Sequence, residues 1–221
     1  MIIKLQNLLQ NYKIRNDEIF ILEDKNYYYF WKKPWLASSW GENESILDLI
    51  RKWEVLKNQK NIFSEEEEYW LLNRLDNDTS WFVYFAKNNE IKEKYKDLQK
   101  ENEIEKTYYA VVNWKFSYDN TIVSYPIMHK NKSKMIAIKD EKDIKKGRWK
   151  QLSVETKIKK IRYDKQLDLS YLEVHILKWV RHQIRVHLSS IWFPIVWDKL
   201  YWGKENGILW LFSVWMNLKN F

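Results

Sequence analysis

Apolar positions along the chain follow two spacings, one near 3.6 residues and one near two, and the alternation between them predicts the element order. Ile3, Leu5, Leu8, Leu9 and Tyr12 stand near helical spacing, so residues 1–16 are expected to form an N-terminal helix or arm. Ile19 to Phe30 is β-rich, with a turn at Glu23-Asp24-Lys25-Asn26 and an aromatic strand, Tyr27-Tyr28-Tyr29-Phe30. A loop runs from Lys33-Pro34 to Asn43, and Ser45 to Lys57 then reads as a helix with Ile46, Leu49, Ile50 and Trp53 on one face. Glu65 to Glu68 is an acidic run suited to a solvated loop or helix start. Phe82–Ala86, Tyr108–Val112 and Leu172–Ile176 read as strands, and Asn89–Glu101 as a charged helix packed through Ile91, Tyr95 and Leu98. His129 to Lys150 is dense in lysine, either a flexible basic loop that touches phosphates or plain solvated surface. Ile184, Leu188 and Ile191 make Val180–Ser190 a helix, with Arg181 and Arg185 one turn apart on its other side. No internal repeat and no Pro- or Gly-rich linker divides residues 17–221, which are expected to form one domain.

Composition changes this picture at one point. The chain has fourteen tryptophans and only four glycines in 221 residues, where glycine ordinarily fills about 7% of positions. Many tryptophans stand where a turn would place glycine: Trp35 after Lys33-Pro34, Trp81 after Asp78-Thr79-Ser80, Trp192 before Phe193-Pro194, Trp197 before Asp198, Trp202 beside Gly203. A bulky residue with positive φ is an outlier, whereas glycine adopts it freely. The expectation is that most of these tryptophans are UGA codons read as glycine in the source organism; a tryptophan-rich core or stacking surface is the alternative. Abundant Lys, Asn, Ile and Tyr suit an AT-rich genome, in which such a reassignment is plausible.

The charge of +8 points to a polyanionic partner, with nucleic acid the commonest. The absence of cysteine excludes disulfides, thiolate chemistry and cysteine-based metal sites. No apolar run reaches the ~18 residues of a membrane span, and Met1-Ile2-Ile3-Lys4 does not open a signal peptide. A cytoplasmic protein without membrane contact is expected.

The most specific segment is Trp70-Leu71-Leu72-Asn73-Arg74-Leu75-Asp76-Asn77-Asp78-Thr79-Ser80-Trp81. With glycine at the tryptophans it resembles the G-L-x-H-R-L-D-x-x-T-S-G signature of the RluA family of pseudouridine synthases. His182-Gln183-Ile184-Arg185-Val186-His187 resembles the family's H-Q-I-R-x-H, and Ile191 to Trp202 its I-G-H-P-I-x-G-D-x-x-Y-G. Lys106-Thr107-Tyr108-Tyr109-Ala110 fits K-x-Y-x-A, with Trp114 at the following glycine, and Glu23-Asp24 through Lys33-Pro34 fits an opening E-D…K-P. The blocks keep the family's order over residues 19–205. Seven tryptophans (Trp70, Trp81, Trp114, Trp179, Trp192, Trp197 and Trp202) fall on family glycines. Departures are Asn73 and Phe193 in place of histidines, and Lys178-Trp179-Val180-Arg181 where a T-G-R precedes H-Q-I-R.

The resemblance implies an α/β (α+β) fold, a mixed, largely antiparallel sheet with flanking helices, and an isomerase that turns uridine into pseudouridine in ribosomal or transfer RNA. The N-glycosidic bond breaks, the base rotates, and base carbon 5 bonds to the ribose. No cofactor and no metal are needed. By motif position Asp76 is the carboxylate, as nucleophile or base. Arg185 keeps it ionised and oriented, and Tyr108 stacks on the flipped base and helps remove the carbon-5 proton. Arg74, Lys106, Arg181, His182 and Gln183 are the expected RNA contacts, with Arg74 structural or on a phosphate. Asp78 is expected to cap a turn. His182 and His187, five apart, do not share a helix face, which argues against a metal site, and His129 and His175 are expected to be ordinary surface or strand residues. The cleft should cross the sheet, with Asp76 on a loop and Arg185 near the start of its helix. Longer relatives carry an S4-type RNA-binding domain that this chain does not accommodate, and a monomer is expected. The rival reading is a non-catalytic RNA-binding protein that kept the fold.

Overall fold

Strand pairing begins at the aromatic segment: Ile21–Glu23 (β1) and Tyr27–Lys32 (β2) form a hairpin, with Leu22 opposite Tyr29. The structure is a computed structural model and describes residues 21–23, 25–34, 36–38, 45–52, 71–201 and 207–218. The predicted N-terminal helix, the acidic run at 65–68 and the end of the helix predicted to reach Lys57 lie outside these residues. Ile46–Lys52 (α1), Ser80–Ala86 (β3), Asn89–Lys100 (α2) and Ile104–Asn113 (β4) follow in order. Next come Asn120–Val123 (β5), Ile127–His129 (β6), Met135–Ala137 (β7), Glu141–Lys146 (α3) and Arg148–Leu152 (β8). Thr156–Asp164 (β9), Leu169–Ile176 (β10), Gln183–Ser190 (α4) and Leu211–Leu218 (β11) complete the chain.

One sheet runs β1-β2-β3-β11-β4-β10-β9-β5, antiparallel throughout except where β11 lies parallel to β3. A second sheet, β7-β6-β8, is wholly antiparallel. The fold is the mixed, largely antiparallel α+β arrangement expected. The lysine-rich stretch 129–150 differs: it is no loop but the second sheet with α3 beside it.

The period-two rule explains how the large sheet holds two cores. In β3, Val83 and Phe85 face one way, against Phe30, Tyr108, Val174 and the helix residues Leu47, Ile184 and Leu188. Phe82, Tyr84 and Ala86 face the other way, against Tyr27, Tyr95 and Leu98. Phe30 and Phe85, both fully buried, meet edge to face at 4.8 Å, each burial contributing roughly 1.5–3 kcal/mol. Helix α2 starts where the Asn88 side chain accepts from the Ile91 amide at 2.9 Å, a cap contributing about 1 kcal/mol. Helix α4 begins three residues later than predicted, because Val180–His182 form a turn in which His182 itself takes φ 56°.

Eight described residues other than glycine have positive φ, and five of them are tryptophan: Trp81 (83°), Trp114 (70°), Trp149 (69°), Trp192 (70°) and Trp197 (59°). None of the described glycines does. Gly147 serves close packing instead, since a Cβ there would sit 2.2 Å from the Met128 sulfur.

Candidate active site

The loop 72–79 that precedes β3 carries Asp76, and four contacts fix its shape. Ser38 Oγ accepts from the Leu75 amide at 3.0 Å and donates to the Leu75 carbonyl at 3.1 Å. Asn73 Oδ1 accepts from the Tyr84 amide at 2.7 Å, and the Leu72 amide donates to the Tyr84 carbonyl at 2.8 Å. Beneath the turn, the fully buried Lys32 donates to the carbonyls of Asn77 at 2.8 Å and Thr79 at 2.7 Å. An ammonium enclosed by carbonyl oxygens ties strand β2 to the loop that bears the carboxylate. Sequence reasoning fastened on the neighbouring Lys33-Pro34, yet Lys33 is exposed. The signal that separates them is strand alternation, which turns Lys32 inward with Phe30.

Arg185, 2% exposed, stands at the centre of three carboxylates. It donates twice to Asp198, through Nε at 2.9 Å and Nη2 at 2.8 Å. Its Nη2 lies 3.3 Å from Asp78 Oδ2, and its Nη1 3.9 Å from Asp76 Oδ2. The strongest partner of Arg185 is therefore Asp198, which is wholly buried and also accepts from the amides of Leu200 and Tyr201, both at 3.1 Å. Sequence reasoning assigned no role to Asp198, although it is the aspartate of the third motif block. Fork geometry explains the arrangement: a bidentate carboxylate fixes the guanidinium plane and leaves one edge free for Asp76. Asp78, expected to cap a turn, instead faces this cation.

His182 is buried, and its Nε2 sits 3.8 Å from Asp76 Oδ2. Burial, then the neighbouring Arg185 and Arg181, hold its pKa down to about 3, so the ring is neutral. The Tyr201 hydroxyl accepts from the Met135 amide at 2.8 Å and lies 3.0 Å from His182 Nδ1. With the ring neutral, Nδ1 can accept a hydrogen bond from the Tyr201 hydroxyl, the tautomer that leaves Nε2–H on the side of the aspartate.

Burial pushes the Asp76 carboxyl up to about 6; Arg185 and Arg181 oppose the rise, Asp78 adds to it, and Lys32 opposes it. Burial likewise lowers Lys32 to about 7 against the pull of Asp76 and Asp78. Tyr108, in β4 opposite Val174 of β10 and Ser213 of β11, is 3% exposed. Burial and then Asp76 raise its pKa well above the ordinary phenol, while a hydrogen bond with Ser213 pulls the other way. It therefore enters as the neutral phenol, a stacking surface first. Asp76, Tyr108, Trp179, His182, Gln183 and Arg185 line one pocket, with a free volume of only ≈ 20 Å³. That space holds a water molecule, which needs roughly 10–15 Å³, and not a pyrimidine.

The remaining expected residues divide. Arg74 is exposed on the loop, and Arg181 is exposed and donates to the Lys132 carbonyl at 3.0 Å. Lys106 is buried within β4, its pKa lowered to about 8 by burial, and does not line the pocket. Gln183 is spent on the fold: it accepts from the Val180 amide at 3.1 Å and donates to the Glu155 carbonyl at 2.9 Å. His187 likewise bridges Thr156 and the Tyr125 carbonyl, both at 2.8 Å. Among the described residues no cluster of His, Cys, Asp or Glu could hold a metal ion.

Residues 27–190 match the family described as RNA pseudouridylate synthase. The chain belongs to that family. It is 29% identical over 168 residues to an uncharacterized RNA pseudouridine synthase of Haemophilus influenzae, covering 75% of this chain and 64% of the relative. It is 31% identical over 170 residues to the ribosomal large subunit pseudouridine synthase C of Buchnera aphidicola, covering 75% of this chain and 47% of the relative. The chain thus spans less than two thirds of these curated relatives. In fold it is similar to human RNA pseudouridylate synthase domain containing 1, with a TM-score of 0.72 at 16% identity, covering 92% of this chain and 79% of that one. In this member of the family, Asn73 stands in place of the motif's histidine and pins the loop to β3 through its contact with the Tyr84 amide.

Proposed function

We propose that this protein is an RNA pseudouridine synthase, an isomerase that acts on uridine in ribosomal or transfer RNA with Asp76 as its essential carboxylate. The observation that carries the reading is the gathering of Asp76, Tyr108, His182 and Arg185 around one pocket, in a chain whose residues 27–190 match the family. Asp76 acts at the ribose anomeric carbon as nucleophile or base. Arg185, held in plane by Asp198, favours its ionised form, and the His182 Nε2–H offers a donor to the carboxylate. Tyr108 receives the flipped base, and stacking returns ~1–3 kcal/mol of the unstacking cost. Arg74 and Arg181 contact the RNA backbone. The reading includes action as a monomer in the cytoplasm; no described helix is long and apolar enough to cross a membrane. Mapping pseudouridine in cellular RNA with and without the gene tests it: one or a few sites should vanish, and an unchanged map would contradict it.

The reading extends to the chain's own chemistry. Glycine stands in the native protein at most of the positions written as tryptophan, through UGA codons. The five tryptophans with positive φ support it, as does Trp179 in the wall of a pocket too small for a pyrimidine. Trp70 and Trp202 lie outside the described residues, and Trp149 joins the set from its backbone alone. A mass spectrum of the protein purified from its source decides: masses matching glycine support the reading, and masses matching tryptophan end it.

A further inference from the structure

A second cleft is lined in part by Tyr201, the hydrogen-bond partner of His182. It is ≈ 390 Å³, within the ~300–1,000 Å³ of small-ligand sites, and Lys130, Lys134, Lys139 and Lys146 line it with Asp143 as its one carboxylate. Four lysines against one aspartate leave a surplus of 4 − 1 = 3 positive charges. Lys146 is bound to Asp143 at 2.8 Å and Lys139 to the Ser190 carbonyl. Among the described residues no carboxylate lies in ion-pair contact with Lys130 or Lys134. Lys134 is held below its ordinary pKa by burial and then by Lys130, a repulsion that an anion in the cleft would relieve.

Two connections join this cleft to the catalytic pocket. Tyr201, which lines the cleft, hydrogen-bonds at 3.0 Å to His182 of the Asp76 pocket, and its ring centroid lies 5.5 Å from the Arg185 guanidinium carbon and 5.2 Å from the Lys134 Nζ. Arg181, whose charge acts on Asp76, holds the β6–β7 hairpin through the Lys132 carbonyl. A polyanion whose nucleotide enters the pocket therefore has its neighbouring backbone beside the lysines.

We propose that this cleft, centred on Lys130 and Lys134, binds the phosphodiester backbone of the RNA next to the target uridine. This rests on the reading of the chain as an RNA pseudouridine synthase. The cleft supplies affinity and register through charge, while the pocket around Asp76 does the chemistry.

The test is a Lys130→Gln/Lys134→Gln double variant, assayed on ribosomal RNA transcribed with carbon-5-tritiated uridine. KM should rise about tenfold with kcat little changed, and the slope of log affinity against log salt should flatten by ~0.7 for each phosphate the two lysines cease to neutralise. A Lys130→Arg/Lys134→Arg pair should restore both, which a structural defect would not allow. An unchanged salt slope, or a loss of kcat at constant KM, overturns the proposal. RNA binding is read separately by titration at several salt concentrations. Should the parent protein bind RNA with lysine-dependent salt sensitivity but release no tritium, the functional reading fails and the cleft stands.

Discussion

At the scale of single residues, the account turns on a carboxylate kept out of its preferred surroundings. Asp76 is pushed up to about 6 chiefly by burial. Its folded pKa thus exceeds its unfolded value of about 3.9, so its ionisation costs stability. The protein should lose stability as pH rises from about 4 through about 6, the sign expected when the folded state binds the proton more tightly. Activity should move the opposite way, with kcat/KM rising through an apparent pKa of about 6 as the working carboxylate forms. Asp76→Asn should then abolish turnover and stabilise the protein at pH 7 by about 1–3 kcal/mol. Urea unfolding of the two proteins at pH 4 and pH 7 checks this, since the gain should fade at the lower pH. Lys32 acts one step away, through the carbonyls of Asn77 and Thr79. Lys32→Met should lower kcat on the order of tenfold or more by loosening the Asp76 loop, with KM less affected; steady-state kinetics separates the two.

At the scale of elements, backbone strain is the quantity most open to measurement. Trp114, Trp149 and Trp192 combine positive φ with 51%, 67% and 68% exposure, so replacing them removes little buried surface, the Trp149 contact with His129 at 4.8 Å included. Trp114→Gly, Trp149→Gly and Trp192→Gly should each stabilise by about 1–2 kcal/mol, read as a higher denaturant midpoint at unchanged slope. Destabilisation by all three would contradict the strain argument. Trp81 is different, because its ring packs at 4.7 Å on Phe212 and 5.4 Å on Trp31, and glycine there forfeits packing as it relieves φ. The same scale shows what the sequence made legible. Asn89–Lys100 was readable from its helical spacing, and the strand within Ser80–Ala86 from its unbroken apolar run, Phe82 to Ala86. The second sheet was not: β6 and β7 have three residues each, too few for alternation to show, and the lysines around them suggested a basic loop or a solvated surface. Strand β9 was hidden similarly, since TKIKKIRYD buries only alternate residues at its start.

At the scale of the whole molecule, β11 closes the sheet, lying parallel to β3 and antiparallel to β4. It brings Ser213 beside Tyr108, so the last described strand braces the wall of the candidate site. This pairing is long-range, and no local pattern announces it. The site divides along the same line. Motif order singled out Asp76, Tyr108 and Arg185, which line one pocket, whereas Lys32, Asp198 and Tyr201 join them through contacts that only folding creates, between residues 13 or more apart in sequence. Lys106 and Gln183 share the motifs, yet Lys106 does not line the pocket and Gln183 hydrogen-bonds the Val180 amide and the Glu155 carbonyl, placements that motif spelling does not give.

The central claim is that Asp76 isomerises uridine in a pocket shaped for glycine at the tryptophan positions. Its most direct test is release of tritium from carbon-5-labelled uridine in RNA, using protein expressed from a gene with glycine at Trp70, Trp81, Trp114, Trp149, Trp179, Trp192, Trp197 and Trp202. The account predicts release with that protein, a loss on the order of 10³-fold or more with Asp76→Ala, and little release with tryptophan at position 179. No release from any RNA, or release undiminished by Asp76→Ala, would contradict it.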